Sequence, residues 1–393
     1  MIFQTLDDKK ECVAIYCEDK LHKGLLPGLT NTWAYADYLD GLDVEYASIY
    51  CFGIGLEEAC PDELRPRWEA VSSRLRAYIV SFNEAKVNLN ENCFFDLVPE
   101  RFLLEFCEVK NKITEYVFEN YERPKNYDFL LSLTKMLHEI RYRSLNLDIS
   151  PLKDDLENYK TRQFFKKVQN TNPHVVYDIS GTKTGRLTTK KNSFPILTLD
   201  KFHRTILKPK NDYFVELDFN AAELRTLLAL SGQNQPEEDL HEWNAKNVYK
   251  GSVDREKAKK RIFAWLYNPD SKDYPSDKIY GREVVMKKYF DGRQVNTLFG
   301  RTIPADAYHA LNYIIQSTTS DLFLRQCIKI REILKNRKSK IAFCIHDSLV
   351  IDYSYEENDI FKELIEIFSD TKLGNYKTNV SVGSNFGEMR KIK

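Results

Sequence analysis

Four side chains in one short stretch, Arg255, Lys259, Phe263 and Tyr267, recur at steps of four residues. On a helix each such step drifts only about 40°, so they form one slowly winding ridge, two cations leading and two rings following. That order suits a nucleoside triphosphate lying along the helix, phosphates at the Arg/Lys end and sugar and base against the rings. Two aspartates flank this helix in sequence, Asp218 at the end of the strand-like run Tyr213 to Asp218 and Asp347 between the apolar runs 341–345 and 349–353. Carboxylates held at strand ends can meet in one site, and phosphoryl transfer from a nucleotide commonly uses two divalent metals about 3.5–4 Å apart. Hard oxygen donors favour Mg²⁺. Each feature alone also fits something plainer: an amphipathic helix with a solvated basic face, or a turn or N-cap aspartate. Their joint appearance, in order along the chain, favours the nucleotide reading.

The elements that must carry these residues are legible in outline. Tyr213 to Asp218 reads as a strand running into a helix from Ala221 to Leu230, which leaves Asp218 at a strand's carboxyl end. Asp254 is an N-cap candidate for a helix closing at Asn268, before Pro269. Residues 341–345 and 349–353, separated by His346-Asp347-Ser348, read as a hairpin with Asp347 at or next to its tip. Further upstream, helices are expected over 63–82, 100–122 and 127–145, the last from Leu130, Leu133, Leu137 and Ile140. Short β-rich runs are expected at 13–17 and 45–52.

The 393 residues suggest roughly two to three domains. Hydrophobic residues at 42% and 46 Tyr and Phe side chains together argue for folded domains rather than disorder. The net charge of zero hides an asymmetry: residues 1–100 carry a net of −9 and residues 101–393 a net of +9. Within Gly181–Lys210 eight Lys/Arg stand against the single Asp200, a pattern that suits a phosphate backbone and equally a solvated basic loop. The start lacks a signal-peptide apolar core, no stretch reaches the roughly 18 apolar residues of a membrane span, and the eight Cys form no disulfide framework. A reducing cytoplasm is expected, that of a host if the chain is phage-encoded. Six cysteines (Cys12, Cys17, Cys51, Cys60, Cys93, Cys107) fall in the first third, but their spacings favour buried reduced thiols over zinc.

Six segments in order resemble the family A DNA polymerases, the bacterial polymerase I type, in a compact form such as phages encode. Thr184-Gly185-Arg186-Leu187-Thr188 is similar to the segment bordering the primer-template duplex, and Asp218-Phe219-Asn220-Ala221-Ala222-Glu223-Leu224-Arg225 to motif A. Asp239-Leu240-His241 and the Arg255/Lys259/Phe263/Tyr267 ridge resemble the nucleotide-binding helix, motif B, and its approach. Thr297-Leu298-Phe299-Gly300-Arg301, with Asn312 and Gln316 following, and His346-Asp347 of the motif C hairpin complete the set. The resemblance covers roughly residues 175–355.

It implies a DNA-templated DNA polymerase with an α+β right-hand fold. The palm would be an antiparallel sheet carrying Asp218 and Asp347, with fingers inserted at about 240–292, reduced thumb-like helices over 111–170 and a small α/β region over 1–110. Asp218, Asp347 and the Phe219 carbonyl would bind two Mg²⁺ ions. Arg255, Lys259 and His241 would grip the triphosphate, with Lys259 placed to protonate the departing pyrophosphate. Phe263 and Tyr267 would shape the sugar and base pocket, and Glu223 would crowd the 2′ position, making dNTPs the substrate. Arg186, Asn312, Gln316 and His346 would contact primer-template DNA. A processivity factor or a separate exonuclease chain is a further expected partner.

The sequence departs from the family pattern at Ser348, which replaces an acid, at Asn268, which replaces a Gly, and at Tyr308, which falls where a primer-contacting Arg is expected. The 267–297 stretch is short for fingers, so low processivity is expected. Tyr16 stands where a proofreading exonuclease would place its first metal-binding aspartate, and Asp43-Val44-Glu45 reads as a turn, so the N-terminal region is expected to be an exonuclease remnant or a docking module. Two other readings stay open: a single-subunit RNA polymerase or primase, and a catalytically idle nucleic-acid-binding scaffold.

Overall fold

The computed structural model describes residues 1–8, 11–87, 89, 92–191, 193–268 and 270–392, and the side chains of residues 7, 8 and 11–13 are not part of that description. Pro269 and the Cys12 side chain therefore lie outside the described residues. The chain divides into two compact units, residues 1–138 and 139–393. The boundary expected near residue 110 falls instead inside a continuous helix, Glu100–Asn120. Among the described residues no helix is long and apolar enough to cross a membrane.

In the first unit, strands β1 (Gln4–Asp8), β2 (Glu11–Cys17) and β3 (Lys20–His22) form an antiparallel meander. Helices α1 (Arg65–Glu84) and α2 (Glu100–Asn120) accompany it, and Leu6 and Tyr16 are buried in one apolar cluster with Phe102, Leu103 and Cys107 of α2. Tyr16 is buried and its hydroxyl donates to Asp19 Oδ1 at 2.8 Å, so the ring acts as core. The run at 45–52, expected as β-rich, is strand only at Glu45–Tyr46, where it pairs in parallel with Asn31–Thr32, and then turns into a helix at Ala47–Tyr50. Burial of Ala47, Ile49 and Tyr50 on one side of that turn overrides the β preference of its residues. Asp43 is exposed ahead of the strand, while Glu45 accepts from Tyr50 Oη at 2.6 Å and Arg123 Nε at 3.1 Å. Cys17, Cys51, Cys60 and Cys107 are buried free thiols, and burial pushes Cys51 and Cys107 up to about 11.

The second unit is built on a five-stranded antiparallel sheet. Strand β4 (Tyr213–Phe219) leads into helix α3 (Ala222–Leu230), and α4 (Arg255–Tyr267) follows among short helices at 240–243, 274–280 and 282–289. After the long α5 (Ala307–Leu334) come β5 (Lys340–Ile345), β6 (Ser348–Tyr353), helix α6 (Phe361–Ser369), β7 (Thr378–Gly383) and β8 (Arg390–Lys391). The sheet order is β5-β6-β4-β7-β8. Along β4 the pleat sorts side chains: Val215, Leu217 and Phe219 are buried, Glu216 and Asp218 half-buried. Phe219 stacks on Phe368 of α6 at 4.4 Å and meets Phe323 of α5 edge-on at 6.5 Å, so these helices cover one face, while Glu216 and Asp218 emerge on the other beside the buried Phe214. A separate apolar cluster, centred on the fully buried Trp265 and Tyr280, ties α3, α4, the short helices and the start of α5 together.

Candidate active site

The sheet register builds the site. Asp218 on β4 lies opposite Ser348 on β6, and Ile345 of β5 pairs with that same Ser348. Only His346 and Asp347 are then left to make the hairpin turn, so Asp347 sits one residue beyond Asp218's ladder partner. A two-residue turn needs a positive φ to match the twist of its strands, and His346 supplies it at 50°. The sequence pattern leaves Ser348 in the turn with His346 and Asp347, but Ser348 is ladder-paired and belongs to the strand. On the other side Asn379 of β7 faces Asp218, and its Nδ2 donates to Asp218 Oδ2 at 3.1 Å.

Both aspartates hold their protons above the usual carboxylate range. Asp218 is pushed up to about 6, first by burial and then by the negative charges of Glu216 and Asp347, with the Asn379 hydrogen bond opposing. Burial also raises Asp347, against the pull of the Arg186 guanidinium. Adjacent, partly desolvated carboxylates of this kind are returned to their ionised form by a cation. Two hard oxygen side chains, beside a buried Asn379 Oδ1 that finds no partner among the described residues, fit a divalent metal such as Mg²⁺. Among the described residues no three His, Cys, Asp or Glu side chains form a group that could hold a metal ion.

Around this pair the structure gathers several of the expected residues. Glu223, in the first turn of α3 and buried, accepts from Arg186 at 2.5 Å and from the Tyr267 hydroxyl. Burial raises Glu223, while those two partners lower it. Tyr267 stacks on Phe263 at 5.8 Å, and Phe263 reaches His241 at 5.7 Å, continuing the ridge as planned by its spacing. His241 is buried with Nδ1 unpartnered among the described residues, and burial lowers it to about 4, which makes it neutral at pH 7. Arg255 lies at the other end of the ridge, held by Asp239 through Nε at 3.2 Å and Nη2 at 3.0 Å, and Lys259 is exposed. Asn312 and Gln316 stand one turn apart on α5, 3.4 Å from each other, and no hydrogen bond links either to the aspartates among the described residues.

What holds these groups is not legible in the sequence. Asp239 caps the helix at 240–243, grips Arg255 and accepts from Asn220 Nδ2 at 2.8 Å, so a short chain of contacts joins the residues after Asp218 to the Arg/Lys ridge. Arg225 is buried and donates to the carbonyls of Asn220, Pro236 and Glu238, which makes it a brace for that loop. Arg301 is bound to the buried Asp321 and lies against Gly185, next to Arg186. The N-cap pattern at Asp239 was the one available sequence signal.

The fold defined by this sheet and its helices is that of a polymerase domain: the structure matches the POL domain of Pol1 from M. smegmatis, solved as a complex with DNA primer-template and dNTP. That match has a TM-score of 0.58 at 13% identity and covers 73% of this chain and 76% of that one. In sequence the chain is 25% identical over 246 residues to DNA polymerase I of Caldicellulosiruptor bescii, covering 49% of this chain and 29% of that protein. It is 28% identical over 178 residues to a DNA polymerase of Mycobacterium phage L5, covering 37% and 29%. Against DNA polymerase I of Borreliella burgdorferi it is 22% identical over 396 residues, covering 78% and 43%. These relatives agree with the family A resemblance read from the motifs, and the chain spans less than half the length of each. No family model matches the chain.

Proposed function

We propose that the chain is a DNA-templated DNA polymerase that extends a primer 3′ hydroxyl with dNTPs and releases pyrophosphate, without a proofreading exonuclease of its own. The observation that carries this reading is the ladder register that sets Asp347 next to Asp218 on one face of an antiparallel sheet, with Arg186, Glu223 and Tyr267 around them. Asp218, Asp347 and the Phe219 carbonyl would hold two Mg²⁺ ions, which when bound activate the primer oxygen and neutralise the departing phosphates. The chain's own residues do the positioning. Arg255, fixed by Asp239, presents its guanidinium at the phosphate end of the ridge, and exposed Lys259 is free to swing onto the pyrophosphate and give it a proton. Neutral His241 contributes a hydrogen bond to the phosphates rather than a charge. Phe263 and Tyr267 offer a stacked aromatic wall to sugar and base. Glu223, fastened on both oxygens, crowds a 2′ hydroxyl and so selects the deoxy sugar. Arg186, Asn312, Gln316 and His346 would lie along the minor-groove side of the primer-template pair, where acceptor atoms recur in every correct base pair.

In this reading the sheet is the palm, the helices over 240–292 the fingers, and the helices within 111–170 a reduced thumb. Residues 1–110 are an exonuclease remnant or a docking module, and a processivity factor or separate exonuclease chain would complement them. The host cytoplasm suits the phage relatives. The test is extension of a labelled primer-template with Mg²⁺, comparing dNTPs with rNTPs and wild type with Asp347→Ala. Template-directed extension with dNTPs and its loss in the variant are expected, with primer-template binding retained. Loss of about 4 kcal/mol of transition-state stabilisation corresponds to about 10³-fold in rate. Efficient rNTP use by the wild type would favour an RNA polymerase or primase, and tight DNA binding with no extension would favour an idle scaffold.

A further inference from the structure

The face of the sheet that carries Asp218 holds a third carboxylate. Glu216 precedes Asp218 by two residues on β4, so both side chains emerge on the same face, and both are half-buried between fully buried Val215, Leu217 and Phe219. The neighbouring strand sets Ser348 opposite Asp218 and Val350 opposite Glu216. Ser348 does not turn its hydroxyl to its ladder partner. It donates diagonally, to Glu216 Oε1, at 2.7 Å. The hydroxyl next to Asp347 in the chain therefore fastens an acid one row behind Asp218, and no cation stands within ion-pair distance of that acid among the described residues. That grip fixes the Glu216 carboxylate in one orientation on the face that carries Asp218.

Resting on the reading of Asp218 and Asp347 as metal ligands, we propose that Glu216 is a positioning residue of that metal site, held by Ser348 and acting through the water shell of the ion rather than as a direct ligand. Among the described residues no three His, Cys, Asp or Glu side chains form a ready metal-binding group, and the Glu216 carboxylate is already held by Ser348, which favours a place one shell out. Mg²⁺ keeps several of its waters, and a carboxylate one shell out can order them and add to the field that holds the ion. The site then draws its third negative charge from β4, where the neighbouring position on β6 supplies a serine.

The experiment is a Mn²⁺ titration of the full chain, with free ion followed by electron paramagnetic resonance, backed by thermal unfolding of each variant without metal. Glu216→Gln has the same shape and still accepts from Ser348, and it should weaken Mn²⁺ binding about tenfold. Moving the acid across the ladder, in the double variant Glu216→Gln with Ser348→Glu, should recover most of the affinity. Glu216→Asp keeps the charge and should stay within about threefold of wild type, which preserves the test if the double variant does not fold. Wild-type affinity in Glu216→Gln, alongside weakened binding in Asp218→Asn and Asp347→Asn, would overturn the inference and leave the two-aspartate site standing. A loss that neither charged variant repairs would overturn it too, because shape and not charge would be the cause. Unchanged binding in Asp218→Asn and Asp347→Asn would instead remove the reading on which it rests.

Discussion

The Tyr267 hydroxyl donates to the Glu223 carboxylate, joining the last turn of α4 to the first turn of α3, with Arg186 on the other carboxylate oxygen. Glu223 is thereby a buried group with a single orientation, which is what a steric test of the sugar requires. Glu223→Ala should raise the use of rNTPs relative to dNTPs by about 10–100-fold, the range a single small group commands in a close-fitting pocket. Tyr267→Phe, which only unfastens Glu223, should give a smaller change in the same direction. Single-nucleotide incorporation rates with paired dNTP and rNTP measure both, and an unchanged ratio in Glu223→Ala would remove the sugar-selecting role.

Asp218 titrates near pH 6, chiefly because it is buried, with Glu216 and Asp347 adding to the rise. The folded state therefore keeps a proton that the unfolded chain has already released between about pH 4 and 6. The stability associated with this group is present below pH 4 and is lost as pH rises through about 6. Asp218→Asn should accordingly raise Tm at pH 7.5, by about 2–4 °C for roughly 1 kcal/mol after allowance for partial exposure, and the gain should shrink at pH 5. Differential scanning calorimetry at the two pH values checks it. Proton and cation then compete for Asp218, so the Mg²⁺ concentration needed for half-maximal extension should rise as pH drops below about 6.

Arg301 donates to the fully buried Asp321 through Nε at 2.8 Å and Nη2 at 2.8 Å, and the same guanidinium packs on Gly185. Ser320 Oγ reaches the Gly185 carbonyl at 3.0 Å, so the loop that presents Arg186 is seated on the ion pair and on α5. Asp321→Ala should cost about 3–5 kcal/mol in urea unfolding, since it strands a buried cation. Gly185→Ala adds a Cβ 2.5 Å from Arg301 Cζ at a φ of +76°. It should displace Arg186 and loosen sugar selection even where the fold survives.

In the first unit, Tyr16 sits in the apolar cluster with its hydroxyl on Asp19. A primer with a 3′ mismatch, incubated with the protein and Mg²⁺ without dNTPs, should keep its terminal nucleotide, and its shortening would show exonuclease activity in this chain. Tyr16→Asp should not create such activity. It should destabilise the unit by about 3–5 kcal/mol, because a carboxylate would replace a packed ring.

What the sequence determined by itself was everything written in local periodicity. The alternation of 213–219, the helix opening at the Asp254 cap and the two runs either side of His346-Asp347 all stand in the structure within a residue or two. Local capping and side-chain alternation are set by neighbours three or four residues away, so one chain suffices to read them. The Glu45–Phe52 run went otherwise because burial, and not propensity, chose the turn of helix there. The tertiary structure alone decided the ladder register that pairs Asp218 with Ser348 and, across β7, with Asn379. It alone put Arg186 on Glu223, Arg255 on Asp239 and Ser348 on Glu216. Those partners lie 16 to 132 residues apart, and no periodicity spans such distances. A strand may slide by one residue without changing its own pattern, and only packing of the buried face against α5 and α6 selects the register that brings the carboxylates together.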